Sequence, residues 1–315
     1  LLVAGFPCQD LSQAGRTAGI TGKRSGLVGE VFRLLETAEP RWLLLENVPF
    51  MLSLDKGEAM RFLTRELERL GFNWCYRVVN SRAFGLPQRR HRVLMLASRT
   101  EDPRQILLPD DAGEPPPPAA PSAYGFYWTE GRGGLGWAVD AVPTLKGGST
   151  IGIPSAPALW VPSTGEIVTP DIRDTERMQG FVADWTAPST TDKKRSNTSR
   201  WKLVGNAVSV PVASWVGACL RAPRPYDGSN DAPLGPKDRW PIAAWSVGRG
   251  TFSARVSSWP VNVPAPSLLD FLQYPTKPLS ARATAGFLRR AREGSLRFAP
   301  GFLDAVEKHL KTMLR

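Results

Sequence analysis

Histidine and cysteine are scarce: two histidines, His91 and His309, and three cysteines, Cys8, Cys75 and Cys219, in 315 residues. An odd, sparse cysteine set without C-x-x-C excludes a disulfide scaffold and points to a reducing compartment, and two histidines leave no material for a His-ligated zinc site. No metal is expected. The chain also lacks any run of the ~18 to 20 apolar residues that a membrane span needs, and the opening residues carry no basic n-region. These absences predict a soluble, cytoplasmic protein without a membrane partner. With 42% hydrophobic residues the chain is no disordered tail, and its length carries a soft prior of about two domains.

Negative charge is in short supply as well, with 40 Lys+Arg against 29 Asp+Glu and a net charge of +11. Residues 222–315 hold 14 Lys+Arg against 7 Asp+Glu, so this tail alone carries +7. A basic surface favours a polyanion, but it is also common in arginine-rich proteins, so chemistry must decide.

The apolar run Leu1-Leu2-Val3-Ala4 breaks at Gly5-Phe6-Pro7 and predicts a buried strand. A glycine-rich loop follows, then a helix over 27–38 with Val31, Leu34 and Leu35 on one face, then a strand Trp42-Leu43-Leu44-Leu45 ending in Glu46-Asn47. Strand, helix and strand over about 45 residues predict a right-handed βαβ unit with parallel strands. Met60, Phe62, Leu63, Leu67 and Leu70 mark an amphipathic helix closed by Gly71, and strands are expected at 74–79 and 93–97, antiparallel and at the sheet edge. From 101 to 170 twelve prolines and an aromatic, glycine-rich patch at 124–137 predict a linker and a small, irregular β-rich module. Helical signals return at 174–181, 208–220 and 301–314.

Cys8 lies just past the first strand and Glu46 ends the second, and in an open parallel sheet both ends open on the rim where ligands bind. Topology alone thus brings a thiol and a carboxylate together, with Pro7 stiffening the turn. Cys75 and Cys219 sit in apolar patterns and read as buried small hydrophobes. In Gln88-Arg89-Arg90-His91-Arg92, extended geometry places Arg90 and Arg92 on one face, two guanidiniums suited to a phosphate or a planar polar base. A solvated charge cluster is the competing reading.

Gly5-Phe6-Pro7-Cys8-Gln9-Asp10-Leu11-Ser12 resembles the nucleophile motif GFPCQxFS of the DNA (cytosine-5) methyltransferases, with Leu11 in place of the usual Phe. Glu46-Asn47-Val48 is similar to their ENV motif and Gln88 to Arg92 to their QxRxR motif. Arg173-Asp174-Thr175-Glu176-Arg177-Met178-Gln179-Gly180-Phe181 resembles the segment that organises their target-recognition region, and Gly205-Asn206-Ala207-Val208 their GNxV motif. The five motifs stand in family order across residues 1 to 217. The resemblance implies an α/β fold: a partial Rossmann-like methyltransferase sheet, with central parallel strands and an antiparallel edge pair, a small irregular β-rich target-recognition module and a C-terminal helical appendix. It divides the chain into a catalytic core at 1–100, a linker and recognition region at 101–172, a return to the core at 173–221 and a basic extension at 222–315. The family's FxGxG cofactor loop is absent from these residues, which leaves open whether it was truncated, lost, or supplied by a second chain.

What the resemblance implies for chemistry is transfer of a methyl group from S-adenosylmethionine to C5 of a cytosine flipped out of duplex DNA. Cys8 would attack C6 as a thiolate, Glu46 would hold a proton at N3, and Arg92 with Arg90 would grip O2 and a neighbouring phosphate. Pro7 and Asn206 would line part of the cofactor pocket, and Gln9, Ser12, Asn47 and Gln88 would face DNA. A catalytically incomplete DNA-binding subunit and an RNA methyltransferase of the same superfamily are the alternatives. In the tail, Trp240, Trp245 and Trp259 with Arg289, Arg290 and Arg292 suggest an accessory contact to the DNA backbone, against a packing role of equal standing.

Overall fold

The computed structural model describes residues 1–6, 27–147, 156–190 and 196–315. Along the chain the strands of the two larger sheets are β1 (Leu2–Gly5), β2 (Leu43–Asn47), β3 (Asn73–Asn80), β4 (His91–Ser98), β5 (Tyr124–Phe126), β6 (Ala138–Val139), β7 (Ala158–Val161), β8 (Glu166–Thr169), β9 (Ala232–Pro233), β10 (Ala243–Ser246), β11 (Thr251–Ser253) and β12 (Lys277–Pro278), and Gln88–Arg89 and Val142–Pro143 form a separate two-stranded parallel pair. The principal helices are α1 (Leu27–Thr37), α2 (Glu58–Arg69), α3 (Ile172–Arg177), α4 (Ser196–Asn206), α5 (Val210–Arg221), α6 (Ala281–Glu293) and α7 (Phe302–Met313). They form two compact units: Leu1–Ala83, His91–Glu114 and Ser214–Asn262 make the first, and Phe84–Arg90, Pro115–Ala213 and Val263–Arg315 the second.

The first unit is built on a seven-stranded sheet of order β1-β2-β4-β3-β10-β11-β9. β1 and β2 run parallel, with Leu2 opposite Leu43 and Gly5 opposite Glu46, as the βαβ reading requires. Among the described residues β1 pairs on one side alone, and Leu1 and Val3 remain 63% and 59% exposed, so this strand is less buried than its apolar sequence predicts. In α1, Val28, Val31, Phe32 and Leu35 form the buried stripe at helical spacing, while Leu34 turns outward. α2 buries Met60, Leu63 and Leu67 and ends where Gly71 takes φ +80, a left-handed turn that lets the Phe72 N–H reach the Leu67 carbonyl.

The β3/β4 pair is antiparallel, but it is not at the edge. β4 lies between β2 and β3, and the outer side of β3 is taken by β10, with Trp245 opposite Cys75. The reason lies in the tail: Ala243 and Ala244 are small enough to lie flat in the buried sheet, and Trp240 packs edge-on against both Trp74 and Tyr76 at 6.1 Å. Trp245 stacks on Phe252 at 4.5 Å, and Trp245 and Trp259 are both buried. The expected C-terminal helical appendix is thus half sheet, and its tryptophans fill core rather than meet DNA.

The second unit holds a five-stranded antiparallel sheet, β12-β8-β7-β5-β6, which is the β-rich module expected after residue 101. Phe126, Trp160 and Ile167 from this sheet pack with Phe287, Leu288, Phe302 and Val306 from α6 and α7. Two of the tail arginines serve this packing. Arg290 donates to the carbonyls of Trp128 (2.8 Å) and Glu130 (3.1 Å), and Arg292 pairs with Glu307. The stretch Thr198–Arg221 has the length and apolar character of a membrane span, but it is broken between α4 and α5 and buries Trp201, Val204, Val212 and Val216 inside the protein.

Candidate active site

β1 and β2 end side by side. Because Gly5 stands opposite Glu46, a Cβ at Gly5 would lie 3.7 Å from Glu46 Oε2, so the carboxylate rests against a strand with no side chain at that point. Asn47 is 5% exposed, donates from Nδ2 to the Phe6 carbonyl (2.9 Å) and accepts the Val48 N–H on Oδ1 (2.8 Å). It was expected to face DNA. Instead it fixes the backbone that leads out of β1, two residues before Cys8. Pro7, Cys8, Gln9 and Ser12 themselves lie outside the described residues.

Arg92 reaches the same rim from β4, where Leu94 is the partner of Glu46. Its Nε lies 2.8 Å from Glu46 Oε1, and its Nη1 donates to the His91 carbonyl at 2.8 Å. The contact with Glu46 is one of charge rather than an aligned hydrogen bond. Oε1 is buried and, beyond this ion pair, accepts no hydrogen bond from the described residues.

Arg90 does something else. The alternation that would place it beside Arg92 requires one continuous strand, but Gln88 and Arg89 pair with Val142 and Pro143, Arg90 itself lies outside any strand, and β4 begins at His91. Arg90 is 2% exposed and donates to three carbonyls of the second unit: Ala207 at 2.7 Å, Leu145 at 3.3 Å and Gly205 at 3.4 Å. Gln88, fully buried, donates to the Met178 carbonyl (2.9 Å) and accepts the Leu145 N–H (3.1 Å). Both side chains are buried, and Arg90 Nη1 and Nη2 and the Gln88 amide are all engaged within the protein. They tie together the chain segments that carry the motifs.

The residues that composition and spacing did not single out individually are the other members of that network. Gln179 donates to the carbonyls of Val204 (2.9 Å) and Ala207 (3.4 Å), and accepts from Ser209 Oγ (2.8 Å). Glu176, with no exposed surface, accepts the N–H groups of Asp184 (2.6 Å) and Thr186 (2.9 Å) and pairs with Arg200 at 2.9 Å. Asp174 does the same for Gln273 and Tyr274. Asp174 and Glu176 lie on α3 and Gln179 in the turn just after it, and only their burial shows that they hold the surrounding backbone.

Asn206 is exposed at the end of α4. Beside it, a Cβ at Gly205 would fall 2.1 Å from the Gly147 nitrogen, a distance no side chain survives. Gly205→Ala is therefore expected to cost about 3 kcal/mol through forced separation of the two backbones, read as a lower guanidinium midpoint at unchanged slope. An unchanged midpoint would mean that the two backbones part without cost. Among the described residues no three His, Cys, Asp or Glu side chains form a group able to hold a metal.

The family described as C-5 cytosine-specific DNA methylase matches residues 1–119. The chain is 48% identical over 320 aligned residues to the Type II methyltransferase M2.BsuMI of Bacillus subtilis (strain 168), covering 98% of this chain and 82% of that protein. It is 30% identical to the Type II methyltransferase M.NgoBI of Neisseria gonorrhoeae, over 67% of this chain and 71% of the other. Among solved structures it is similar to the Schizosaccharomyces pombe (S. pombe) Dnmt2 methyltransferase, with TM-score 0.46 and 16% identity over 69% of this chain and 77% of that one.

Proposed function

This chain belongs to the C-5 cytosine-specific DNA methylases, and on that premise we propose that it methylates C5 of a cytosine flipped out of duplex DNA through a covalent bond from Cys8 to C6. It is a DNA (cytosine-5) methyltransferase of the Type II restriction-modification kind. The likeness to a Type II methyltransferase over 98% of the chain does not favour a DNA-binding remnant.

The observation that carries the mechanism is the buried Glu46 Oε1, which has no hydrogen-bond donor among the described residues and lies 2.8 Å from Arg92 Nε. Cytosine presents a ring nitrogen and an amino group on one edge, with a carbonyl oxygen beside them. A carboxyl group facing that edge holds N3 and the amino group, and the guanidinium meets O2. Electron withdrawal at N3 and O2 makes C6 electrophilic, so that the Cys8 thiolate can add there and raise electron density at C5. C5 would then take the methyl group, its donor sulfonium leaving as a neutral thioether, after which loss of the C5 proton and elimination of Cys8 free the enzyme. Extrusion of the base is required because C5 and C6 are inaccessible in the stack.

The methyl donor of this reading is S-adenosylmethionine. Of the two residues assigned to it, Pro7 lies outside the described residues, and Asn206, exposed at the end of α4, lines an open, largely apolar cavity with Phe181, Trp185, Leu203 and Val204. The open side of β1 is where strands bearing the family's cofactor loop would pair, whether on the same polypeptide or on a second chain. The decisive experiment supplies that segment and S-adenosylmethionine, incubates with duplex DNA and analyses the nucleosides. 5-Methylcytosine is expected, and methylation confined to the exocyclic amino group would overturn the reading.

A further inference from the structure

We propose that one face of α6 is a binding groove for the phosphodiester backbone of duplex DNA, gripped by Arg282 and Arg289. The inference rests on the DNA methyltransferase reading and extends it to a surface that reading does not use.

Arg282 and Arg289 are seven residues apart, two turns of helix, and so share a face with about 10 Å between them along the axis. Between them lie Ala285 and Gly286, so the groove floor is low, and Trp128 forms one wall. A ligand can therefore lie along the helix and meet both guanidiniums. Both arginines are exposed, and neither has an ion pair or hydrogen bond among the described residues. Their neighbours differ: Arg290 is spent on two carbonyls, Arg292 on Glu307 and Arg132 on Glu293. Among the described residues the nearby acids are already paired, Glu130 with Lys146 at 3.1 Å and Glu293 with Arg132, although Glu293 also feels the charge of Arg289. Burial first, and the adjacent Arg289 second, push the Arg290 guanidinium below its usual value, with Glu130 and Glu293 acting the other way.

Two guanidiniums set two turns apart along one helix face match anionic groups repeated along a line. A polyanion with regularly spaced charges satisfies both, and duplex DNA is the polyanion this enzyme must hold. Contacts of this kind position the duplex and carry no sequence information.

The test is the salt dependence of binding of the full chain to duplex DNA, by fluorescence anisotropy at several salt concentrations. Each phosphate contact contributes about 0.9 to the slope of log K against log salt, so R282Q/R289Q should flatten the slope by roughly 1.8 and leave the preference among sequences unchanged. R292Q, whose arginine is already paired, should keep the wild-type slope. A double variant with the wild-type slope and wild-type melting temperature would overturn the groove while leaving the methyltransferase reading standing. Wild-type protein with no affinity for duplex DNA would overturn both.

Discussion

Cys8→Ser is expected to lower methyl transfer by on the order of 10³-fold or more, because a hydroxyl yields almost no oxyanion at neutral pH whereas a thiol yields a useful fraction of thiolate. The other two cysteines offer no substitute. Cys75 is wholly buried opposite Trp245, and burial pushes its thiol well above the usual range. Cys219 is buried too and shifted in the same direction for the same cause. Duplex DNA containing 5-fluorocytosine checks the step directly, since fluorine at C5 cannot leave as a proton would and the adduct persists. With the cofactor segment and S-adenosylmethionine supplied, the wild type should form a covalent complex whose tryptic peptide maps to Cys8, and the serine variant none. Full activity of Cys8→Ser, or an adduct on another residue, would refute the mechanism.

Arg90→Ala and Arg92→Ala should separate stability from catalysis, although the two residues stand two apart in one motif. Removing Arg90 strands the carbonyls of Leu145, Gly205 and Ala207 in a dry interior and leaves a cavity, at an expected cost of about 4 kcal/mol and a fall in Tm of roughly 10 °C. Arg90→Lys should not rescue it, because one ammonium cannot reproduce a planar fork that serves three acceptors. Arg92→Ala removes a partly exposed partner of Glu46, so its effect on stability should stay near about 1 kcal/mol while the rate of methylation drops on the order of 10²-fold. Thermal melts run beside methylation rates decide the matter. If Arg92→Ala melted first and Arg90→Ala kept full stability, the division of labour drawn from the hydrogen bonds would be wrong.

Much of the site could be read along the chain because its parts are short and local. A strand that breaks at Gly5-Phe6-Pro7 and another that ends in Glu46-Asn47, joined by one helical stretch, can pair in parallel only by a crossover, and that pairing puts Gly5 opposite Glu46. Four roles were not legible. Arg90 looked like a second base-gripping arginine because alternation reports the direction of a side chain only while a strand continues, and the strand stops there. Asn47 and Gln88 looked like DNA contacts because an amide in a motif reads the same whether it meets a base or a backbone carbonyl. The tail looked like an appendix because Ala243 to Ser246 is too short and too plain to announce a strand.

By itself, then, the sequence determined the family, the parallel βαβ unit with the carboxylate at its rim, and the β-rich character of the segment after residue 101, all of which follow from local pattern and motif order. Tertiary structure alone decided which polar groups of those motifs are buried and which are open. It pairs Arg92 with Glu46, gives Arg90 to three carbonyls, and divides the tail between a seven-stranded and a five-stranded sheet. The physical reason is that a buried donor must find an acceptor wherever the chain brings one, and the partners of Arg90 lie 55 to 117 residues away.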